Sequence, residues 1–313
     1  MNYNIITTEA PHIKNKYNVQ KAMLDVIIAL LPAVIASVYF FGLKAVWLIS
    51  LCVLMSVVSD AFFEKLRGKK LPISDLSSVV TGLLLALILP PSFPLWAAAL
   101  GSVAAIFLGK QVFGGLGSNI FNPALVGRAF LTATFPVLMT TWIKPFSLNA
   151  VTTATPLGLM KFEGVSTNLM NLFLGNVSGS LGETSALALI IGGIYLLLRR
   201  CIDWRIPLSF IASVSIFSFI LWSIAPGKYP SVLFELLSGG LLLGALFMAT
   251  DPVTSPITIR GRWIFGAGCG IMVMVIRRWS GLPGGVMYSI LFMNALRPLI
   301  DKFSRPVCFG GKR

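Results

Sequence analysis

VVTGLLLALILPPSFPLW, residues 79–96, reads like LLSGGLLLGALFMATDPVTSP, residues 236–256, and each is followed by a second matching stretch. The followers are FGGLGSNIFNPALVGRAF, residues 113–130, and SGLPGGVMYSILFMNALRP, residues 280–298. All four are rich in Leu, Ala and Gly and nearly free of charge, the composition of chain that lies in hydrocarbon. Two copies in the same order describe a duplicated half. A second explanation stays open from the residues alone: small residues pack permissively, so any two Leu/Gly-rich membrane segments look alike.

Outward from those stretches the rest of the chain has the same character. Of 313 residues, 56% are hydrophobic and 12% charged, against about a quarter charged in soluble domains. The first residues, MNYNIITTEAPH, are polar and lack the basic-then-apolar order of a cleavable signal, so the first apolar run is expected to remain as a membrane helix. A helix crosses the hydrocarbon in roughly 20 residues. Candidate spans lie near 23–42, 44–63, 75–90, 94–113, 122–140, 184–199, 206–224, 231–250, 262–277 and 283–300. The third and sixth are short, and Gly82, Pro90, Pro91 and Pro94 punctuate the third, so partial or broken helices are expected there.

Five spans separate one copy from the next, an odd number, which turns the second copy upside down. The expected fold is therefore an all-α integral membrane protein of about ten transmembrane helices in two inverted five-helix repeats with broken helices. Its parts are an N-terminal tail (1–22), a first repeat (23–140), a loop (141–183), a second repeat (184–301) and a C-terminal tail (302–313). Orientation follows from basic residues, which cytoplasmic loops retain. With both termini inside, the outer segments hold only Lys44, Lys144, Lys161, Lys228, Arg277 and Arg278. Most of the 25 Lys and Arg residues then face inward. The long loop faces away from the cytoplasm.

A net charge of +14 would suggest nucleic acid in a soluble domain, but here the basic residues sit between apolar runs, so membrane orientation accounts for them and no nucleic-acid partner is expected. Cys52, Cys201, Cys269 and Cys308 are too scattered for an iron–sulfur or zinc site, and His12 is the single histidine. No metal site is expected, and any electron passing through this chain needs an organic carrier.

Few residues outside the packing pattern carry chemistry. In the loop, Thr152, Thr153 and Thr155 precede or flank Pro156 in TTATPLG, by composition an ordinary turn. Ser180 and Glu183 stand at capping-box spacing before Thr184, so a helix is expected to begin there. Its N–H groups would either meet an anion or be plainly capped, and Glu183 would itself repel a phosphate. Arg128 falls inside the fifth span, where an unpaired charge costs at least ~2.5 kcal/mol. A contact to a bound anion and an ion pair between helices are equally consistent with it. Gly114, Gly115, Gly117 and Asn119 lead irregularly into Asn122-Pro123, where exposed carbonyls could hold a cation or a ring edge. Asp25, Asp60, Asp251 and Asp301 lie in or at the ends of spans and are ion-path candidates, with helix caps and interfacial charges as the plainer reading.

TTATPLG resembles the flavin-attachment motif of the D subunit of Rnf complexes and of the related B subunit of the sodium-pumping NADH:quinone reductase. GKQVFGGLGSNIFNPALVGRAFL, GNVSGSLGETSALALIIGG and FMATDPVTSP are similar to further signature stretches of that family, so the resemblance runs from TGLLLALILPP onward. The short N-terminal region and TTAT, where the sodium pump reads SGAT, favour the Rnf branch. The resemblance implies that Thr155 is esterified to the phosphate of FMN, with Arg128, Asn122, Ser180, Glu183 and Thr184 as candidate contacts. It further implies a second flavin, riboflavin, held non-covalently nearer the cytoplasm, and a role for Asp251 and Asp301 near a sodium entry route.

The implied activity is electron transfer between ferredoxin and NAD+ coupled to Na+ or H+ translocation across a bacterial cytoplasmic membrane. This chain would relay electrons, holding no catalytic residue of its own. The partners implied are other Rnf subunits, including an outer-side FMN-bearing subunit and iron–sulfur subunits that handle ferredoxin and NAD+. A solute channel or carrier with the same inverted-repeat build and no redox role is the reading that the residues leave beside it.

Overall fold

A computed structural model describes residues 18–68, 75–146 and 153–306. The expectations attached to His12, Thr152 and Cys308 lie outside those residues. Among them the chain is all helical, in the order α1 (Val19–Phe41), α2 (Leu43–Leu66), α3 (Ser77–Leu87), α4 (Leu95–Ile106), α5 (Pro123–Thr134), α6 (Pro136–Met139), α7 (Pro156–Gly158), α8 (Leu169–Leu174), α9 (Ala186–Leu198), α10 (Arg205–Ile224), α11 (Val232–Leu237), α12 (Leu241–Leu243), α13 (Ile259–Trp279) and α14 (Val286–Ser304). Wider π-helical turns extend α4 at Phe107–Gln111, α7 at Leu159–Glu163 and α12 at Gly244–Met248.

Four helices, α1, α2, α10 and α13, are long and apolar enough to cross a membrane unaided. They bury only part of their surface and leave residues such as Ile35, Trp47 and Ile216 exposed, as lipid-facing helices do, because the bilayer is as apolar as the protein core. The two similar Leu-rich stretches behave differently. Residues Thr81–Leu87 of α3 are buried on every side, and so is the run from Leu241 to Met248. A helix apolar all round belongs inside the protein, so these segments form the centre of the molecule.

Close approach of helices rests on small residues. A Cβ on Gly82 of α3 would lie 2.7 Å from the Cys52 carbonyl oxygen of α2, so only glycine admits that crossing. On the other side α13 lies along α10 through Gly266 and Gly270. The packing order repeats: α2 lies on α4 and α4 on α5, as α10 lies on α13 and α13 on α14.

Breaks fall in more places than the sequence suggested. The expected spans 75–90 and 184–199 shorten to α3 and α9, 11 and 13 residues. The expected span 231–250 is also interrupted, at Ser238–Gly240 between α11 and α12, where Gly239 takes φ +67°. The span 122–140 breaks at Phe135, because Pro136 has no N–H to continue α5 and starts α6 instead.

Candidate functional site

Thr155 sits at the start of α7. Its Oγ1 accepts a hydrogen bond from Gly158 N (3.2 Å), while Pro156 fixes the first helical φ. The hydroxyl is half-buried and lines a cleft of about 160 Å³. The loop around it is anchored on three sides. Thr153 N donates to the Trp142 carbonyl (3.0 Å), and Thr153 Oγ1 lies 2.6 Å from Ser178 Oγ. Lys161 Nζ donates to the carbonyls of Arg277 (2.7 Å), Ser280 (2.5 Å) and Leu282 (2.8 Å) at and beyond the end of α13. The Arg277 carbonyl is one that a helix end leaves without an intrahelical partner, and the other two belong to the turn that follows. Burial, and the Arg278 guanidinium nearby, push the Lys161 pKa below that of an ordinary lysine.

Arg128 and Glu183 line the same cleft and form an ion pair, Nη1 to Oε1 at 2.8 Å. The sequence left Arg128 open between an anion contact and a helix-pinning pair. The structure gives it the pair while keeping the guanidinium on the cleft wall. Gly239 and Gly240, Arg277, and the rings of Trp142 and Tyr288 line the cleft as well. Gly239 and Gly240 are needed by contact: a Cβ on the first would lie 2.6 Å from Leu157, and one on the second would strike the Glu183 carboxylate. The sequence signal for them was present, since SGG breaks a Leu-rich run, but nothing local says which loop that break will face.

Three candidates are not where the sequence put them. Ser180 and Glu183 do not cap a helix; α9 starts at Ala186 and Ser185 is its cap, accepting from Ala188 N (3.3 Å). The cause is that Leu181 and Gly182 are held in a turn by donating to the Leu89 and Leu87 carbonyls at the end of α3. Ser180 and Thr184 are consequently buried away from the cleft, Thr184 Oγ1 donating to the Leu181 carbonyl. Asn122 is also remote from Thr155. It caps α5 and donates from Nδ2 to the Met248 carbonyl (3.3 Å), tying the two similar regions together.

Asn122 lines a second cavity of about 90 Å³, with Met23, Thr81, Lys110, Thr250 and Asp251. The other aspartates all have partners. Asp60 accepts from Lys110 Nζ (2.7 Å) and Gln111 Nε2 (2.6 Å), and Asp25 from Tyr195 Oη (3.0 Å) and Arg199 Nε (3.3 Å). Asp251 accepts from Val253 N and Thr254 Oγ1, and Asp301 from Ile257 N. Lys110, near the end of the expected span 94–113, and Arg277, at the end of 262–277 and counted with the outer segments, are both buried, each paired with a carboxylate: Lys110 with Asp60 and Arg277 with Glu235.

The family model described as "NQR2, RnfD, RnfE family" matches residues 6–310. The chain is 44% identical to the D subunit of the proton-translocating ferredoxin:NAD(+) oxidoreductase complex of Clostridium ljungdahlii, covering 99% of this chain and 98% of that one. It is 45% identical to the D subunit of the Na(+)-translocating counterpart in Acetobacterium woodii, over 98% and 96% of the two chains. Its identity to the D subunit of the ion-translocating oxidoreductase complex of Stutzerimonas stutzeri is 42%, over 94% and 92%.

Proposed function

The chain belongs to the NQR2, RnfD, RnfE family, and from that premise we propose that it is the membrane-embedded D subunit of an ion-translocating ferredoxin:NAD+ oxidoreductase complex, with FMN esterified to Thr155. The observation that carries the cofactor assignment is the cleft itself. The Thr155 hydroxyl opens into a recess whose walls hold cationic Arg128 and Arg277 and the aromatic Trp142 and Tyr288. That donor set fits a phosphate ester with a flat conjugated ring. Arg128 already neutralises Glu183, so the carboxylate does not oppose a phosphate bound alongside. Bound flavin supplies the capacity to accept and release electrons.

The remaining work is done by the chain. Lys161, Thr153 and Trp142 fix the attachment loop, and Gly239-Gly240 allow the α11–α12 break to close against it. A non-covalent riboflavin nearer the cytoplasmic side belongs to the same proposal. On that proposal the chain makes ten crossings in two inverted repeats, with the Thr155 cleft on the outer side, the Asn122 cavity on the inner side and both termini cytoplasmic; α7 and α8 then belong to the outer loop. The repeated packing order of α2, α4, α5 and α10, α13, α14 supports this arrangement. Because the hydrocarbon is ~30 Å thick, carriers at both faces are required. Ferredoxin and NAD+ reach them through iron–sulfur subunits and an outer FMN-bearing subunit. Asp251 and Asp301, at the inner ends of the second repeat, are the proposed entrance for the coupling cation.

The test is the intact mass of the chain, expressed with flavin-attachment machinery, beside Thr155→Ala. An FMN-sized increment with fluorescence in the denatured band, absent from the variant, is expected. An unmodified native chain would overturn the assignment and favour the channel or carrier.

A further inference from the structure

The helix α9 ends in a turn that normally carries glycine. Arg200 N donates to the Leu197 carbonyl (3.1 Å) and Cys201 N to the Leu196 carbonyl (3.0 Å), the paired bonds of a Schellman turn. The left-handed residue that closes it is Arg200, at φ +56°. A side chain there is disfavoured relative to glycine. Its guanidinium is exposed and forms no ion pair among the described residues.

Arg200 stands on the wall of a broad recess of about 910 Å³, between the α9–α10 turn and the segment leading into α13. Arg262 lines it too, and the one carboxylate on its wall, Asp203, is already held by Arg205 (2.9 Å) and Arg262. Thr250 and Ser255 lie buried in its floor, and its rim carries exposed apolar side chains, with Leu198 and Ile257 more than two-thirds accessible. Trp204 packs edge-on against Trp263 (5.7 Å) and carries the Arg205 guanidinium over its ring (5.2 Å). Paired tryptophans with basic residues mark the headgroup level of a membrane protein. From there the outward faces of α10 and α13, with Leu208, Ile216, Ile264 and Ile271, offer a continuous exposed apolar track.

We propose that this recess binds an anionic phospholipid, its phosphate at Arg200 and Arg262 and its acyl chains along α10 and α13. A lipid accounts for both halves of the surface at once: a soluble anion would use the arginines and leave the apolar rim and track without a role. Basic pockets between membrane helices take anionic headgroups by the same charge attraction.

The backbone conformation supplies a clean test. Arg200→Gly removes the cation while putting the favoured residue at the left-handed position, so stability in lipid-free detergent should stay level or rise. Native mass spectrometry of the purified chain, and of the complex containing it, would be run with phosphatidylglycerol, with phosphatidylcholine and with inorganic phosphate. Phosphatidylglycerol should be retained and raise the melting temperature of the native chain, and Arg200→Gly should lower its affinity about fivefold. Equal retention of both lipids, protection by inorganic phosphate alone, or full phosphatidylglycerol retention by the variant would overturn the site. So would cross-linking of Arg200 to another subunit in a complex that carries no lipid there, which would make this face a protein interface.

Discussion

Lys110 and Arg277 hold matching places in sequence: each lies three residues before the second of the paired similar stretches, is buried, and pairs with a buried carboxylate. Lys110 Nζ is 2.7 Å from Asp60 Oδ2 and 2.7 Å from Ser77 Oγ. Arg277 Nη1 is 2.7 Å from Glu235 Oε2, and its Nη2 is 3.1 Å from the Ser238 carbonyl. Lys110 thus ties α4 to α2 and to the start of α3, and Arg277 ties α13 to α11 and to the α11–α12 break. Such placement is hard to obtain by chance resemblance of Leu-rich segments, because it involves the polar residues that composition does not dictate.

Breaking one of these pairs should cost more than removing it whole. Lys110→Met leaves the Asp60 carboxylate buried with Gln111 and Ser78 as its remaining partners. A loss of about 3–5 kcal/mol is expected for a buried charge stripped of its counterion. Asp60→Asn combined with Lys110→Met removes both charges and should recover much of that loss. Melting temperatures of the single and double variants in detergent decide it; a double variant no better than the single would show that the pair is not the unit.

The Arg128–Glu183 pair makes the opposite kinds of change distinguishable. Arg128→Ala leaves a lone carboxylate beside Thr155, whereas Glu183→Gln leaves a lone cation there. Covalent flavin occupancy, read as in-gel fluorescence per chain, should fall in Arg128→Ala and be retained in Glu183→Gln. The pair is largely buried, so leaving either charge alone should also cost stability, by about 3 kcal/mol. Equal loss of flavin in both variants would mean that the pair matters for shape and not for charge.

The Leu-rich stretches and their followers could be read as a duplicated half, and TTATPLG as an attachment motif, because both are contiguous in sequence. The cleft could not be assembled that way. Thr155, Arg128, Glu183 and Gly239 come from four separate segments, and only packing brings them together. The Ser180–Glu183 box misled for a related reason: local capping chemistry was overruled by the hydrogen bonds of Leu181 and Gly182 to carbonyls nearly a hundred residues earlier. The buried pairing of Lys110 and Arg277, at the ends of the spans 94–113 and 262–277, was not legible because a hydropathy window cannot tell a solvated cation from one paired inside the protein.

Lys161 ties the attachment loop to the end of α13 by three bonds to carbonyls, and its removal should loosen the loop without touching the cleft wall directly. Lys161→Met is expected to speed proteolysis between residues 141 and 183 and to reduce flavin occupancy, with little change in global melting. Lys161→Arg should not restore it, because three carbonyls around one point suit an ammonium and not a planar fork. Unchanged proteolysis in Lys161→Met would remove the anchoring role.

The α10–α13 contact predicts a graded series of glycine replacements. A Cβ on Gly266 would strike Ser209 Oγ and lie 2.5 Å from the Ile206 carbonyl oxygen, and one on Gly270 would strike Ser213 Oγ and lie 2.6 Å from the Phe210 carbonyl oxygen. Backbone cannot yield as a side chain can, so Gly266→Ala and Gly270→Ala should each cost about 1–3 kcal/mol through separation of the helices. Gly268→Ala meets only the flexible end of Met293, and Gly281→Ala meets nothing within 4 Å. The expected order of melting-temperature loss is therefore Gly266 and Gly270 together, then Gly268, with Gly281 near zero. A series in which Gly266, Gly268 and Gly270 behave alike would show that intrinsic helix propensity, which favours alanine in a helix interior, outweighs the crossing contact. Sensitivity confined to positions 266 and 270 would locate the hold between α10 and α13 in those two backbone approaches.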